Sequence, residues 1–433
     1  MSPSFLLSYG SVSGQWTYPL IRTPAPVLLW FGIVLAGALL LLRWMTHRTI
    51  DRYPATCIAA WTLIGWLTMV FLHFLSYFSL GSLVSSDLSN GFFTASLRYG
   101  PLAILAEYPD LPNLPYHVWT NMPGKVLLFH FLRLFTESPQ ALGVLIVLLA
   151  SLSGLLLFGI LRELEWKRAV GLDAWILWMV TPALIGFLPI LNTVTVTFAL
   201  LVFFLVLKAI RTNSLFFPIL SGMAAFWLFL FEPTPFALAL IGVPILIGLI
   251  RRETVPIRHV MKILGIMFAT FLLSAILLWL FTGFDPVQAL THVVLDALAF
   301  DAKSRPYLTW VLPQLKDFFL GAGILPSAIF LLSIVASLRL RRKRATGNDQ
   351  HTAAALLAIA SLSTILLLDL TGIGRGEVVR FWIFLMPFVS AIAAAACQKR
   401  TWLFSVILSA TILQTAISVW SIVFVLPTNP FLL

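Results

Sequence analysis

The stretch TFALLVFFLVL, residues 197–207, decides the fold class because it is continuously apolar. A transmembrane β-strand would alternate polar and apolar side chains, and this run does not. The whole chain continues the pattern, since it is 60% hydrophobic and 10% charged, with a mean hydropathy of +0.98. Soluble domains contain about 45–50% apolar and about 25% charged residues. Only helices and closed barrels satisfy the backbone inside lipid, so the sequence predicts an all-α, polytopic membrane helical bundle.

Apolar runs long enough to cross a bilayer recur along the chain of 433 residues. A spanning helix needs about 20 predominantly apolar residues. Hydropathy and turn residues predict about twelve spans, at roughly 26–44, 56–80, 140–161, 172–187, 190–208, 215–231, 235–250, 262–282, 316–338, 352–370, 379–397 and 402–426. The two cysteines, Cys57 and Cys397, lie in or beside these runs and form no disulfide or metal-binding pattern. Residues 1–20 lack the pattern of a cleaved signal peptide, so we expect them to be retained.

Lysine and arginine are unevenly divided between the two sides of the predicted topology. Most of the 28 lie in short connections on one side, as in the segments 43–52, 162–168, 251–262 and 339–344. The side that is richer in Lys and Arg is expected to face the cytoplasm. The same rule explains the net charge of +11, which would suggest a nucleic-acid partner only in a soluble protein. We therefore expect a lipid bilayer around the chain and no nucleic acid.

Two long connections, 81–139 and 283–315, emerge on the opposite, outer face and contain many of the 17 acidic residues. Any chemistry is therefore expected on the extracytoplasmic face. The segment PGKVLLFHFLRLF (123–135) has an apolar helical face, and we expect interfacial helices of this kind in the two loops. The expected parts of the chain are a module with both loops at 1–338, a basic cytoplasmic linker at 339–351 and C-terminal transmembrane helices at 352–433.

The first outer loop contains several side chains that could take part in chemistry. Asp87 directly follows the second predicted span and could act as a general base on an acceptor hydroxyl, or only end a helix. Glu107, Asp110 and His117 lie among aromatic residues, which suits a sugar site and equally an aromatic belt at the membrane surface. Their spacing matches no closed ligand set, so we assign no metal and leave a divalent cation open. Lys125 follows a turn at a helix start, where it could bind a phosphate or be purely structural.

The segment SRPYLTW (304–310) opens the span after the second long loop and supplies Arg305 and Tyr307. An arginine at the membrane boundary could bind a lipid phosphate. The alternative is that its side chain only extends along apolar surface to reach water, as long basic side chains often do.

The segment DLTGIGRGEVVRFWIFLMP (369–387) holds four charges between two apolar runs. Its alternating glycines predict a tight loop that re-enters the surface, with Glu377 after the loop and Arg380 about one turn into the next helix. Charges at such depth usually face a partner or a cavity. Glu377 and Arg380 could simply pair at i, i+3. Two arginines for one glutamate nevertheless leave a positive surplus, which suits a bound phosphate.

The order and sidedness of these segments resemble those of the GT-C superfamily of polytopic glycosyltransferases, which use polyprenyl-phosphate-linked sugars. The resemblance is carried by an acidic residue soon after an early span (Asp87), by TNMPGKVLL (120–128) at the end of the first outer loop, by SRPYLTW and by GRGEVVRFWIFLMPF (374–388). The last segment is similar to the Gly-Glu-x-x-Arg-x-Trp-x-x-x-x-Pro pattern of several bacterial members. The similarity covers residues 56–397.

The resemblance implies an inverting transfer of a hexose or pentose from a polyprenyl-phosphate donor to an extracytoplasmic glycan, lipid or protein, at a bacterial plasma membrane. Asp87 would be the general base. The phosphate of the donor lipid would be bound by Arg380, Arg305 and Lys125. The sugar or the acceptor would be bound by Glu377, Glu107, Asp110, His117 and Tyr307.

Some features depart from that family, and other functions stay open. Asn121 and Met122 stand where such proteins often have His-Pro, so a role of that histidine is absent or passes to His117. The main alternative is a multi-span transporter or lipid flippase, in which charges lie near the bilayer midplane. The predicted spans are nearly free of charge at mid-depth, and we interpret Glu232 as a helix boundary before Pro233. A catalytically silent family member with a structural role is a third hypothesis.

Overall fold

A computed structural model describes residue 18 and residues 20–212, 214–251, 255–341 and 350–425. Over these residues all regular structure is helical, apart from one antiparallel bridge between Leu20 and Ile422. The helices of the first half are α1 (Val27–Thr49), α2 (Pro54–His73), α3 (Leu80–Val84), α4 (Phe92–Arg98), α5 (Pro101–Glu107), α6 (Tyr116–Trp119), α7 (Gly124–Arg133), α8 (Pro139–Glu163), α9 (Arg168–Met179), α10 (Pro182–Gly186) and α11 (Asn192–Arg211).

The second half continues with α12 (Phe216–Phe231), a 3₁₀ turn (Thr234–Leu238), α13 (Ala239–Arg251), α14 (Ile257–Thr282), α15 (Pro286–Ser304), α16 (Tyr307–Ala322), α17 (Ile324–Arg341), α18 (Gln350–Thr371), α19 (Val378–Phe381), a second 3₁₀ turn (Ile383–Leu385), α20 (Met386–Cys397) and α21 (Thr401–Ser421). The predicted basic linker at 339–351 lies mostly outside the described residues.

The described part of the chain has eight helices that are long and apolar enough to cross a membrane, or nine if one bent pair counts as a single span. They confirm the prediction of an all-helical membrane bundle. Fewer than twelve helices meet the length and composition of a membrane span, because the other predicted spans correspond to shorter helices. Phe216–Phe231 and Ile383–Cys397 are apolar helical segments of this shorter kind. The count of twelve therefore stays a prediction.

The span predicted at about 316–338 is not a single straight helix. Helix α16 ends at Ala322 and α17 begins at Ile324, and the two helices meet at an angle of 111°. Gly323 between them has a φ of +99°, a backbone conformation that side chains with a Cβ rarely adopt. The break turns α16 away from the direction of α17, toward the glycine loop described below.

The centre of the bundle consists of helices that are apolar on nearly every side. In α9 all residues from Val170 to Met179 are buried, and α20 is buried from Met386 to Ala394. Only 6% of the residues in the most apolar part of α14 are buried, so α14 lies at the periphery. A helix that is hydrophobic all round is suited to such positions, because its surroundings are either protein core or lipid. The C-terminal helices belong to the same large apolar cluster as α8, α9 and α11.

Ion pairs join several of the basic connections at one end of the bundle. Arg43 donates to Asp173 through two bonds of 2.6 and 2.8 Å. The other contacts of this end join Lys208 to Glu163, Arg211 to Glu165 and Arg168 to Asp51. These contacts bring together the connections that we assigned to one side from the distribution of Lys and Arg. Which side faces the cytoplasm stays a prediction.

The apolar face predicted for 123–135 is buried within the protein. In α7, Val126, Phe129 and Leu132 are at most 4% exposed, and the helix packs against α4 and α12. Phe131, Leu134 and Phe135 are the largely exposed apolar residues of the segment. The periodicity was sufficient to identify the helix but not the partner of its apolar face, so the interfacial location is not supported for α7.

Replacement of Gly154 by Ala tests the packing of the core. An added Cβ would lie 2.1 Å from the indole of Trp175, which is itself buried. Overpacking of this kind typically costs about 1–3 kcal/mol, so we expect a lower midpoint of thermal unfolding in detergent. The matched control is Gly37→Ala in α1, where no atom lies within 4 Å of the added Cβ. Equal midpoints for the two variants would contradict this packing.

Candidate functional site

The carboxylate of Glu377 lies between two arginines from different parts of the chain. Arg305 donates from Nη2 to Glu377 Oε1 at 2.7 Å, and Arg380 donates from Nη2 to Glu377 Oε2. The side chains of Arg305, Glu377 and Arg380 are 7%, 14% and 20% exposed. Burial alone would raise the pKa of Glu377, but the charges of Arg380 and Arg305 outweigh it and lower the pKa below its usual value. Glu377 is therefore ionised and bridges two cations.

Three glycines shape the loop that presents Glu377. Gly372, Gly374 and Gly376 have φ values of +69°, +74° and +74°, which only glycine adopts readily. This confirms the tight loop predicted from their alternation. A Cβ on Gly376 would lie 3.1 Å from the ring of Trp310, so its absence lets α16 approach the loop closely.

The segment SRPYLTW is fixed to this glycine loop by reciprocal bonds to the backbone. Arg375 donates from Nη1 to the carbonyl of Arg305 at 2.8 Å, and Arg305 donates to the carbonyl of Arg375. The hydroxyl of Tyr307 donates to the carbonyl of Leu370 at 2.6 Å. Tyr307, a predicted sugar-binding residue, thus uses its hydroxyl proton to hold the loop. The long-range pairing of 305 with 377 could not be read from the sequence.

The first outer loop brings His117 to the same place. Its imidazole interacts electrostatically with Arg380, Glu377 and Lys125 and has a hydrogen bond with the backbone of Leu88. Burial is the largest cause that lowers the pKa of His117 to about 4, and the charge of Arg380 is the next. At neutral pH the ring is therefore uncharged and adds no positive charge to the cluster.

Asp87 lies next to Leu88 and has a more open environment than the arginine cluster. Its Oδ2 is 3.8 Å from Nη2 of Arg98, and both side chains are about half-exposed. The hydrogen bond that the His117 ring donates to the backbone of Leu88 connects the Asp87 segment to the cluster. An exposed ion pair at this separation contributes at most about 1 kcal/mol, so it leaves the carboxylate accessible to another group.

Lys125 is deeply buried and already has a carboxylate partner. Its Nζ donates to Glu232 Oε2 at 2.8 Å and to Asn121 Oδ1 at 2.8 Å, and the lysine side chain is 2% exposed. Asn192 donates to the same Glu232 oxygen at 3.0 Å. Lys125 therefore has a different anionic partner from the phosphate predicted for it, and phosphate binding by Lys125 would require this pair to open. Glu232, which we interpreted as a helix boundary, is the residue that sequence reasoning missed.

Glu107 and Asp110 are not joined to the cluster by any described contact. Both side chains are exposed, and the buried Tyr108 between them donates to the carbonyls of Trp119 and Asn121 at 3.0 and 2.7 Å. His292 of the second loop contacts the same Trp119 carbonyl through Nε2 at 3.0 Å. The two long loops therefore meet, as expected for loops on one face, and the two carboxylates lie outside that contact.

The cluster as a whole favours an anion. Arg305, Arg380 and Lys125 carry three positive charges, against two negative charges on Glu377 and Glu232. The Nε of Arg380 is buried and has no hydrogen-bond partner among the described residues. A buried donor without a partner is costly, and a bound acceptor would satisfy it. Within the described ranges no group of three His, Cys, Asp or Glu side chains could hold a metal ion.

No protein-family model matches the chain, and no curated protein matches its sequence.

Glu377→Gln is expected to destabilise the fold because it leaves two largely buried arginines without their carboxylate. Removal of one partner from a buried ion pair typically costs about 3–5 kcal/mol, and the partial exposure of Arg380 places the expected loss near the lower end. The measurement is thermal unfolding of the purified protein in detergent. Glu137→Gln is the control, because Glu137 is 79% exposed in its pair with Arg133 and should change stability by less than about 0.5 kcal/mol. Similar losses in both variants would refute the bridging role.

Acidification should reveal the neutral state of His117. The unfolded chain takes up this proton near the usual pKa of 6.5, and the folded chain does so only near 4. The unfolded state thus binds more protons between these values, and the free energy of unfolding falls as the pH is lowered from 6.5 toward 4. In His117→Gln we expect a shallower decline of the unfolding midpoint over this range. Parallel pH profiles for wild type and variant would show that His117 is not held neutral.

Proposed function

We propose that the protein is a membrane glycosyltransferase that moves a sugar from a polyprenyl-phosphate donor to the hydroxyl of an extracytoplasmic acceptor. The observation that carries the proposal is the convergence of Arg305, Glu377 and Arg380 with His117. Arg305, Glu377 and Arg380 come from two of the segments in which the sequence resembles the GT-C superfamily, and His117 lies three residues before a third. Arg305 and Glu377 are 72 positions apart in the chain, and a helix end with a simple i, i+3 pair would not need Arg305.

The arginine pair suits the phosphate of an amphipathic donor. Arginine presents a planar fork of donors that matches phosphate oxygens, and charge-assisted bonds of this kind are the stronger ones. The glycine loop follows the apolar helix α18, which ends at Thr371, so the cluster lies where a spanning helix ends. A phosphate at this level would leave its polyprenyl chain in the bilayer. Glu377 would keep both guanidinium groups in place, and preorganised cations are effective in stabilising developing charge.

In the proposed reaction Asp87 takes the proton from the acceptor hydroxyl. The acceptor oxygen then attacks the anomeric carbon from the face opposite the phosphate, which inverts the configuration. The bond from the anomeric carbon to the phosphate oxygen breaks, and the phosphate leaves with the electron pair, neutralised by Arg305 and Arg380. His117, Tyr307, Glu107 and Asp110 are proposed to contact the sugar or the acceptor.

The proposed topology has about twelve crossings, with the long loops outside the plasma membrane of a bacterium. The shorter segments Arg168–Gly186, Phe216–Phe231 and Val378–Cys397 would cross as well, together with the bent pair α16 and α17. Two sets of contacts support this proposal. Ion pairs join basic connections at one end of the bundle, and the two long loops contact each other at the other end.

The distribution of charge favours transfer over transport. In the eight long apolar helices, Asp, Glu, Lys and Arg lie within about two turns of a helix end. Transporters instead place their functional charges near the bilayer midplane, at broken helices. Among the described residues, the sharp break between α16 and α17 at Gly323 has no charged residue within five positions on either side. The charged cluster at the end of the bundle thus suits a substrate whose phosphate stays at the membrane surface.

The direct test is Asp87→Asn in membrane vesicles supplied with a radiolabelled polyprenyl-phosphate sugar. We expect sugar transfer to fall by at least about a hundredfold, the size typical of the loss of a general base, while expression and the unfolding midpoint stay unchanged. The label is followed from the lipid fraction into the acceptor fraction.

The matched control is Arg98→Met, which removes the partner of Asp87 and keeps the carboxylate. If Asp87 were only part of a structural ion pair, both variants would have the same small effect. Full transfer by Asp87→Asn would exclude the general-base role, and absence of any transfer by the wild-type protein would favour the transporter hypothesis.

A further inference from the structure

The buried pair of Lys125 and Glu232 has more hydrogen-bonding capacity than the protein uses. Glu232 Oε2 accepts from Lys125, Asn192 and Thr195, at 2.8, 3.0 and 3.3 Å. Its other oxygen, Oε1, accepts no hydrogen bond from the described residues. Lys125 has three ammonium protons and donates to two acceptors, Glu232 and Asn121. An acceptor and a donor are therefore both free at the same place.

A second buried side chain near this pair lacks partners. Asn90 is 0% exposed, and neither its Oδ1 nor its Nδ2 has a hydrogen-bond partner among the described residues. It lies two residues before Phe92, and the ammonium of Lys125 is 5.6 Å from the centre of the Phe92 ring. Native proteins satisfy most buried amide groups, so an Asn without any partner points to a ligand or to water.

The pair is close enough to the arginine cluster to interact with it electrostatically. Burial lowers the pKa of Lys125, and the nearby charge of Arg380 lowers it further. Helix α11, which supplies Asn192 and Thr195, packs against α19 and the second 3₁₀ turn. The α19 helix contains Arg380. One ligand could therefore contact both clusters if it combined a phosphate with a polar group a few ångströms away.

We propose that Lys125 and Glu232, with Asn90, form a hydroxyl-binding subsite that recognises the sugar next to the phosphate of the donor. This inference rests on the proposed function and adds the residues that would select the sugar. Glu232 Oε1 would accept a hydrogen bond from one hydroxyl, and Lys125 would donate to a neighbouring one.

The chemistry of the pair favours a polyol over a second anion. The carboxylate and ammonium neutralise each other, so the pair offers no net charge to a phosphate, and Glu232 would repel one. Vicinal hydroxyls both donate and accept, and they match a free acceptor beside a free donor. The side chain of Glu232 is 6% exposed, so a ligand could reach Oε1.

The test compares two probes on the purified protein: a short-chain polyprenyl phosphate, and the same lipid with a β-linked hexose or pentose on the phosphate. Dissociation constants are measured by ligand-induced shifts of the unfolding temperature. We expect wild type to prefer at least one glycosylated probe, and Glu232→Gln to reduce this preference about tenfold while it still binds the plain phosphate. Arg380→Ala should weaken the binding of both probes.

Two further variants keep the result interpretable. If Glu232→Gln fails to fold because Lys125 is left unpaired, the double variant Lys125→Met, Glu232→Leu removes both charges at similar volume, a change that buried pairs often tolerate. It should also lose the preference for the sugar. Glu163→Gln is the matched control, because Glu163 pairs with Lys208 at 2.9 Å at the opposite end of α11. This control should keep the full preference.

The outcomes separate the two proposals. A wild-type protein that binds the plain lipid phosphate and shows no preference for any glycosylated probe would overturn the hydroxyl subsite and leave the phosphate site standing. A preference that survives in the folded double variant would overturn it as well. A wild-type protein that binds neither probe would overturn the proposed function itself.

Discussion

The carboxylate of Glu377 is the constraint on which the site depends, because it holds two arginines that would otherwise repel each other. Arg305 reaches it from the end of the second long loop, and Arg380 from the next turn of the same segment. Charged side chains that are buried to this extent are stable only when they are paired and hydrogen-bonded. The three positive φ glycines and the close approach of Trp310 follow from this need, since they let the loop fold tightly around the ion cluster. The hydrogen bonds that Tyr307 and Arg375 donate to backbone carbonyls then hold together the two segments that contain the arginines.

The membrane explains why the polar groups of the protein separate into two ends. One end contains pairs in which each acid has a basic partner, such as Asp173 with Arg43 and Glu163 with Lys208. Those pairs connect helices and leave no surplus of charge between them. At the other end, Arg380 has a buried donor, Asn90 a buried amide and Glu232 an oxygen for which the described residues supply no hydrogen-bond partner. The unsatisfied groups close to the paired arginines are the physical reason for proposing a ligand at the second end.

The sequence was sufficient to predict the helical membrane fold, the glycine loop and the common face of the two long loops. Each of these depends on local signals: continuous apolar runs, glycines at alternate positions and the distribution of Lys and Arg. The sequence did not predict the break at Gly323, because a single glycine in an apolar run is compatible with a straight helix. It also did not predict the partner of Lys125, since Glu232 is 107 residues away and ion pairs at such separation have no local pattern. Glu232 precedes Pro233, which predicts a helix end, and α12 does end at this point. That prediction gave no sign that Glu232 is also the partner of the buried Lys125.

The most direct measurement of the central claim is native mass spectrometry of the protein after gentle extraction from its own membrane. The proposed phosphate site predicts that the wild-type protein retains a polyprenyl phosphate, or its glycosylated form, and that Arg380→Ala loses it. Arg211→Ala, at the opposite end in its pair with Glu165, should retain the lipid as the wild-type protein does. If all three proteins carried only the same bulk phospholipids, the cluster around Glu377 would be a structural ion pair and the proposed function would be contradicted.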